Sequence, residues 1–149
     1  MKRDYPDRPI VGVGAVIVED GRVLVVKRAT EPLKGQWSIP GGAVELGETL
    51  RQAVVRETRE ETGLLVEAGE VIEVFDSIYR DPDGCAQYHY VLVDFLCRLQ
   101  GGELCAASDA SAARWVSAGE LTGLQLVHNT ERVIRKALAD SKTARLPPS

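Results

Sequence analysis

From Val11 to Val18 apolar residues follow one another with only Gly12 and Gly14 between them, a β-rich run that Glu19-Asp20-Gly21 turns into a second strand over Arg22–Lys27. Pro32 to Gly35 breaks the pattern as a loop. Trp37-Ser38-Ile39 then makes a short strand that delivers the chain to Pro40-Gly41-Gly42, read as a tight turn. The next strand signal, Val66–Tyr79, is one strand or two broken near Ala68-Gly69. Asp81-Pro82-Asp83-Gly84 is a turn, and the alternation resumes over Gln87–Leu99 for long enough to predict a central strand. Gly101-Gly102 and Ala106–Asp109 read as loops around a last short strand at Ala113–Val116. Ser117 caps a helical piece at Ala118–Leu121, and Thr130–Ala139 is an amphipathic helix with Val133, Ile134, Ala137 and Leu138 inward.

One further helix breaks the usual rule for amphipathic segments. Thr49 opens it and Gly63 closes it, as a residue just past a helix end often does. At about 100° per residue, Leu50, Ala53 and Val54 define an inward stripe, and Glu57 and Glu61 fall on that stripe with Glu60 beside it. Unpaired acids are costly to bury, and divalent cations, which prefer oxygen ligands, make a cluster of them tolerable. A solvated helix would instead pair its acids with Arg51, Arg56 and Arg59 at helical spacing.

Gly42, Glu48, Arg56-Glu57, Glu60-Glu61 and Gly63-Leu64 stand at fixed intervals across 23 residues, and in this they resemble the Nudix hydrolases. Thr58 departs from the pattern, which has an aliphatic residue there. It lies toward the edge of the stripe, where its methyl can still pack. Strands interrupted by one long helix and followed by a terminal one argue for a mixed sheet between helices. That arrangement resembles the Nudix α/β/α sandwich, an α/β (α+β) fold, laid over one domain spanning 1–149.

The resemblance implies metal-dependent hydrolysis of a pyrophosphate bond in a nucleoside diphosphate joined to another group. ADP-ribose is the favoured substrate. An (oxidised) nucleoside triphosphate pyrophosphatase and a noncatalytic nucleotide-binding module are the alternatives. By the same resemblance Glu57, Glu61 and Glu60, with the carbonyl of Gly41, hold Mg²⁺, which Mn²⁺ can replace. Glu48 and Arg56 tie the loop to the helix and aim those acids. A later acid often assists in such proteins; Asp109, six residues before Trp115, is the first candidate and Glu103 the second. Ala112 stands where a glutamate is often found, so the general base remains open between Glu57, a sibling on the helix and Asp109.

Composition adds bounds. Charged residues make up 27% against 44% apolar, an ordinary globular balance, and a net charge of −4 gives no general attraction to nucleic acid or anionic lipid. Phosphate binding must then rest on local positive charge. Lys27 and Arg28 are candidates for it, and Tyr88 and Tyr90, which share a strand face, are candidates for stacking on a base. His128 is assigned to a helix start without a catalytic part, and Trp115 to the core. No apolar run spans a bilayer, Met1–Pro9 lacks a secretory pattern, and Cys85, Cys97 and Cys105 lack metal-ligand spacing. A cytoplasmic protein with reduced thiols is expected, with flexible ends at 1–9 and 141–149; a homodimer is what the resemblance allows.

Overall fold

The computed structural model describes residues 2–144 and the side chains of 2–140. Ile10–Glu19 (β1) turns through Asp20-Gly21 into Arg22–Arg28 (β2), followed by the short strands Trp37–Ser38 (β3) and Gly41–Ala43 (β4). Leu50–Thr62 (α1) leads into a long hairpin of Leu64–Arg80 (β5) and Ala86–Gly102 (β6). Ala110–Ser117 (β7), a 3-10 turn at Ala118–Gly123 and Thr130–Ala144 (α2) complete the order. The sheet runs β3-β2-β1-β6-β5, with β4 also on β1 and β7 on β2. Most pairings are antiparallel, but β1 and β6 are parallel from Ile10↔Tyr90 to Ile17↔Cys97.

Alternation along β1 feeds two cores. Val13, Ala15 and Ile17 pack with Ala53 and Val54 of α1 and with Val93 and Phe95 of β6. Val16, from the other face, joins Val23, Val25 and Ile72 beneath Val133, Ile134 and Ala137 of α2. A mixed sheet with a helix on each face results, as the strand and helix pattern predicts. Both helices are also tied by charge. Arg51 donates to the carbonyls of Ala68 (2.6 Å) and Gly69 (2.7 Å), where β5 slips register, and Lys136 donates to the Ile72 carbonyl at 2.8 Å. Arg132 pairs with Glu73.

The caps of α1 follow from its sequence. Thr49 accepts from Gln52 N, Gln52 returns a bond to Thr49 N, and Gly63 closes the helix at φ 75°, a left-handed conformation that glycine enters freely. Several expectations need correcting. Gly41-Gly42 is not a turn but a strand, because β1 offers backbone partners: Gly14 pairs with Gly41 and Val13 with Gly42. Gly101-Gly102 likewise extends β6 against Leu65 and Leu64. The irregularity near Ala68 is a register shift within one strand rather than a break. Leu50 is exposed, since the α1 side chains that enter the core begin at Ala53, and Thr58 is fully buried rather than at the stripe's edge. The segment before β1 is tied to the hairpin at Asp4 and Tyr5: Tyr5 N donates to Gln87 O (2.7 Å), Tyr5 Oη to Asp81 (2.7 Å) and Gln87 to Asp4 (3.1 Å). α2 continues to Ala144, into the end expected to be flexible from 141, and the rest of that end, 145–149, lies outside the described residues, as does Met1.

Thr58 Oγ1 is buried without a hydrogen-bond partner among the described residues. A buried hydroxyl left unpaired costs about 1–3 kcal/mol, and valine has the same shape without it. Thr58→Val should therefore raise the melting temperature, by about 2–4 °C for each kcal/mol relieved in a chain of this size. A fall in a thermal melt would show that the hydroxyl has a partner after all.

Candidate active site

β4 carries no side chain at Gly41 or Gly42, and α1 lies close against the bare backbone. A Cβ on Gly42 would sit 2.5 Å from the Glu57 carboxyl carbon, so the acid occupies space that only glycine leaves open. A Cβ on Gly41 would strike the Val13 carbonyl of β1. Gly41 N in turn donates to Glu61 Oε2 at 3.3 Å. Glu57 and Glu61, one helical turn apart, are 8% and 5% exposed. The inward stripe therefore does carry two carboxylates.

Arg56 organises the near side of this pair. Its Nε and Nη2 hold Glu48 at 2.6 and 2.9 Å, its Nη1 holds Glu57 at 2.9 Å and Glu60 at 3.2 Å, and Nη2 also reaches the Ala43 carbonyl at 3.1 Å. One guanidinium thus joins the loop, the strand and the helix. Its hydrogen bonds, with one from Glu45 N, hold the Glu48 carboxyl at about 2. Glu57 is pushed up by burial, with Arg56 opposing. Glu61 has no such cation bound to it. Burial above all, then Glu57 and Asp109, push it to about 8 against the pull of Gly41 N–H.

Glu61, Gly41 and Gly42 border a cavity of about 160 Å³ that runs across the sheet to Phe75 and Tyr90. Arg28 and Asp109 line its rim, with the Arg28 Nε donating to the Pro32 carbonyl at 2.7 Å. The structure therefore gathers Gly41, Glu61, Arg28, Asp109 and Tyr90 about one cavity, with Glu57 immediately behind Gly42. It leaves others out. Glu60 is exposed, with its carboxyl on Arg56. Lys27 pairs across the sheet with Trp37 and Ala112 and does not line the cavity. Tyr88 lies beyond it, meeting Tyr79 edge-on at 6.3 Å between centroids. Glu103 is exposed and away from the cavity. Trp115 is half-buried, packed against the α1-side core.

Among the lining residues that were not foreseen are Arg3 from the N-terminal segment, His128, which precedes α2, and Asp94 of β6. Asp94 did have a signal, an acid in the apolar run Val91–Leu96 on the same alternation as Tyr90 and Leu92. It is 5% exposed, and burial, with Glu73 adding to it, pushes its carboxyl to about 7.

The donor set suits a divalent ion in its chemistry: two buried carboxylates with less positive charge near them than they carry negative. As the side chains stand, no three acids, histidines or cysteines among the described residues converge as an ion-holding group. What the arrangement offers is an acid pair at one end of a cavity whose other end is aromatic.

Comparison with known proteins agrees with this layout. The family model described as NUDIX domain matches residues 8–139. An ADP-ribose pyrophosphatase from Methanocaldococcus jannaschii is 39% identical over 127 residues, covering 85% of this chain and 72% of the relative. Among solved structures, a MutT NUDIX hydrolase from Burkholderia pseudomallei superposes with a TM-score of 0.77 at 33% identity, covering 87% of this chain and 98% of that one. An ADP-ribose pyrophosphatase from Streptococcus suis gives 0.73 at 30%, covering 91% and 93%. Hydrolases of this kind act on phosphorus-containing anhydrides and generally need divalent metal ions. By sequence and by the helix-on-glycine arrangement alike, this chain belongs to the NUDIX domain family of hydrolases.

Proposed function

We propose that the chain hydrolyses the pyrophosphate linkage of a nucleoside diphosphate joined to a second group, with ADP-ribose as the favoured substrate. The observation that carries this reading is the Glu57–Glu61 pair, buried against bare glycine backbone at the head of the cavity. Its chemistry fits a divalent ion, Mg²⁺ or Mn²⁺ in its place, held by Glu57, Glu61 and the Gly41 carbonyl. When bound, such an ion offsets the charge of the phosphate oxygens and makes a water easier to deprotonate. Glu60 joins the pair only by releasing Arg56. Arg56 and Glu48 fix the Glu57 carboxyl before substrate arrives, and Arg28 meets a phosphate at the rim. Asp109, facing Glu61 from the loop before β7, takes a proton from the attacking water. Tyr90 forms one wall of the base end. Lys27 and Tyr88, away from the cavity, have no part in this scheme.

Free cysteines at 85, 97 and 105 support a cytoplasmic setting, and Val11, Val74 and Ile78, exposed on one stretch of the sheet, support a homodimer. No helix among the described residues is long and apolar enough to cross a membrane.

The test is a substrate panel of ADP-ribose, nucleotide sugars, dinucleoside polyphosphates and (oxidised) nucleoside triphosphates with Mg²⁺, products identified by mass. ADP-ribose should yield AMP and ribose 5-phosphate, fastest at alkaline pH, and a chelator should stop the reaction. Glu61→Gln should cut turnover about 100-fold or more while leaving the fold intact, since outer groups alone cost 10–100-fold. Turnover that survives either chelator or this substitution would reject the metal role. Asp109→Asn should lower kcat with little change in melting temperature; an unchanged rate would return Asp109 to the loop.

A third expectation concerns stability without metal. Unfolded Glu61 ionises near 4.5, but the folded carboxyl keeps its proton until about 8. An acid with a raised folded pKa costs nothing below the lower value and its full penalty above the higher one. In chelator, wild type should therefore lose melting temperature relative to Glu61→Gln as pH climbs from 4.5 to 8. Saturating Mg²⁺ should abolish the difference. Parallel melting curves across that interval would show that Glu61 titrates normally.

A further inference from the structure

The hydrolase scheme leaves one buried acid without a task. Asp94 is 5% exposed, lines the cavity, and has no hydrogen bond or ion pair from any described residue. Its Oδ1 fills the space above Gly14 that a Cβ there would take. Ile39, Phe75, Tyr90 and Leu92 line the cavity with it, together with polar residues that include Ser38 and Ser77. Glu73, its partner across β5 and β6, is itself paired with Arg132 of α2, and Arg3, Arg28 and His128 line the same cavity without an ion pair to Asp94. Such a carboxyl is expensive in a folded protein unless something outside the chain completes it.

Its position says what that is. Gly14 of β1 pairs with Asp94 on one side and with Gly41 on the other, and Gly41 N–H bonds Glu61. Asp94 is thus two strand spacings, about 10 Å, from Gly41, the residue whose N–H meets Glu61. This is comparable to the reach of a nucleotide from the edge of its base to its phosphate. A carboxyl offers an acceptor oxygen whether or not it carries a proton, so it complements N–H donors in either state. An aromatic ring bearing an amino group matches both the walls and the acceptor.

We propose that Asp94 is the specificity-determining group of this cavity, accepting the exocyclic amino group of the substrate's base and so favouring adenine over a base that lacks the amine. The inference rests on the nucleoside diphosphate reading above. Gly14 belongs to it, because a side chain there would displace the carboxyl.

The test measures binding in chelator, so that it does not depend on turnover. Wild type should bind AMP about 10-fold or more tightly than purine riboside 5′-monophosphate, which lacks only the amine, because a site that hydrogen-bonds a donor rejects the analogue without it. Asp94→Leu should erase that ratio by weakening AMP and leaving the analogue unchanged. Asp94→Asn, which keeps an acceptor oxygen, should preserve it. Asp94→Leu should also melt higher than wild type, since it removes an unpartnered buried acid. Equal affinity of wild type for the two nucleotides would overturn the inference. So would a lower melting temperature of the leucine variant with both affinities reduced together, the mark of a structural role. Mg²⁺-dependent turnover of ADP-ribose without discrimination sinks this inference alone; no binding and no turnover of any nucleotide sinks the reading beneath it as well.

Discussion

The structure depends on holding negative charge where water cannot reach it freely. Two carboxylates on one helix face are docked on a strand that has given up its side chains, and each part of that arrangement requires the others. Glu57 can lie where it does because Gly42 has no Cβ, and Gly41 because β1 passes so close behind it. The helix reaches this depth because Ala53, Val54 and Thr58, all small, seat it on the sheet. Arg56 offsets part of the charge through Glu45, Glu48, Glu57 and Glu60, yet one guanidinium cannot serve four acids fully, and it makes no ion pair with Glu61. Buried charge of this kind weakens the fold by itself and becomes favourable when a cation arrives.

The sheet then turns that local feature into a site with direction. β1 is the spine: β4, with the glycines under the acids, pairs on one side and β6, with Asp94 and Tyr90, on the other. Because Gly12 and Gly14 have no side chains, Leu92, Asp94 and Ile39 lie close over β1, and the two chemically different ends face the same space. The acid end is polar and undercompensated; the far end brings aromatic rings together with one unpaired carboxyl and with Arg3 near Tyr90. A molecule with phosphates at one end and a ring at the other matches that polarity.

Much of this was legible in the chain. The caps of α1, the stripe that places Glu57 and Glu61 inward, the Asp81–Gly84 turn and the long β6 all follow from local periodicity and turn chemistry. The misses share a cause, which is that their structure is imposed by distant residues. Gly41-Gly42 looks like a turn until β1 supplies partners. Residues 2–9 look loose until Gln87 and Asp81 hold Tyr5. Alternation correctly put Tyr88 and Tyr90 on one face, but not how far along the strand the cavity extends, and it gave Lys27 no reason to differ from Arg28. Asp94 was visible as an acid among apolar neighbours, though only the register against Gly14 shows where it sits.

The parallel pairing of β1 with β6 carries a consequence for how the molecule comes into being. Ile10 must find Tyr90, and everything between them has to be threaded first. Contacts this remote in sequence close slowly. On the ribosome, the acid-bearing helix will therefore emerge long before the strand that completes the opposite wall. Until then its carboxylates sit in water, at ordinary acidity and with little hold on a cation. The cavity, whose lining comes from both β1 and β6, is therefore completed late, when β6 slides in beside β1.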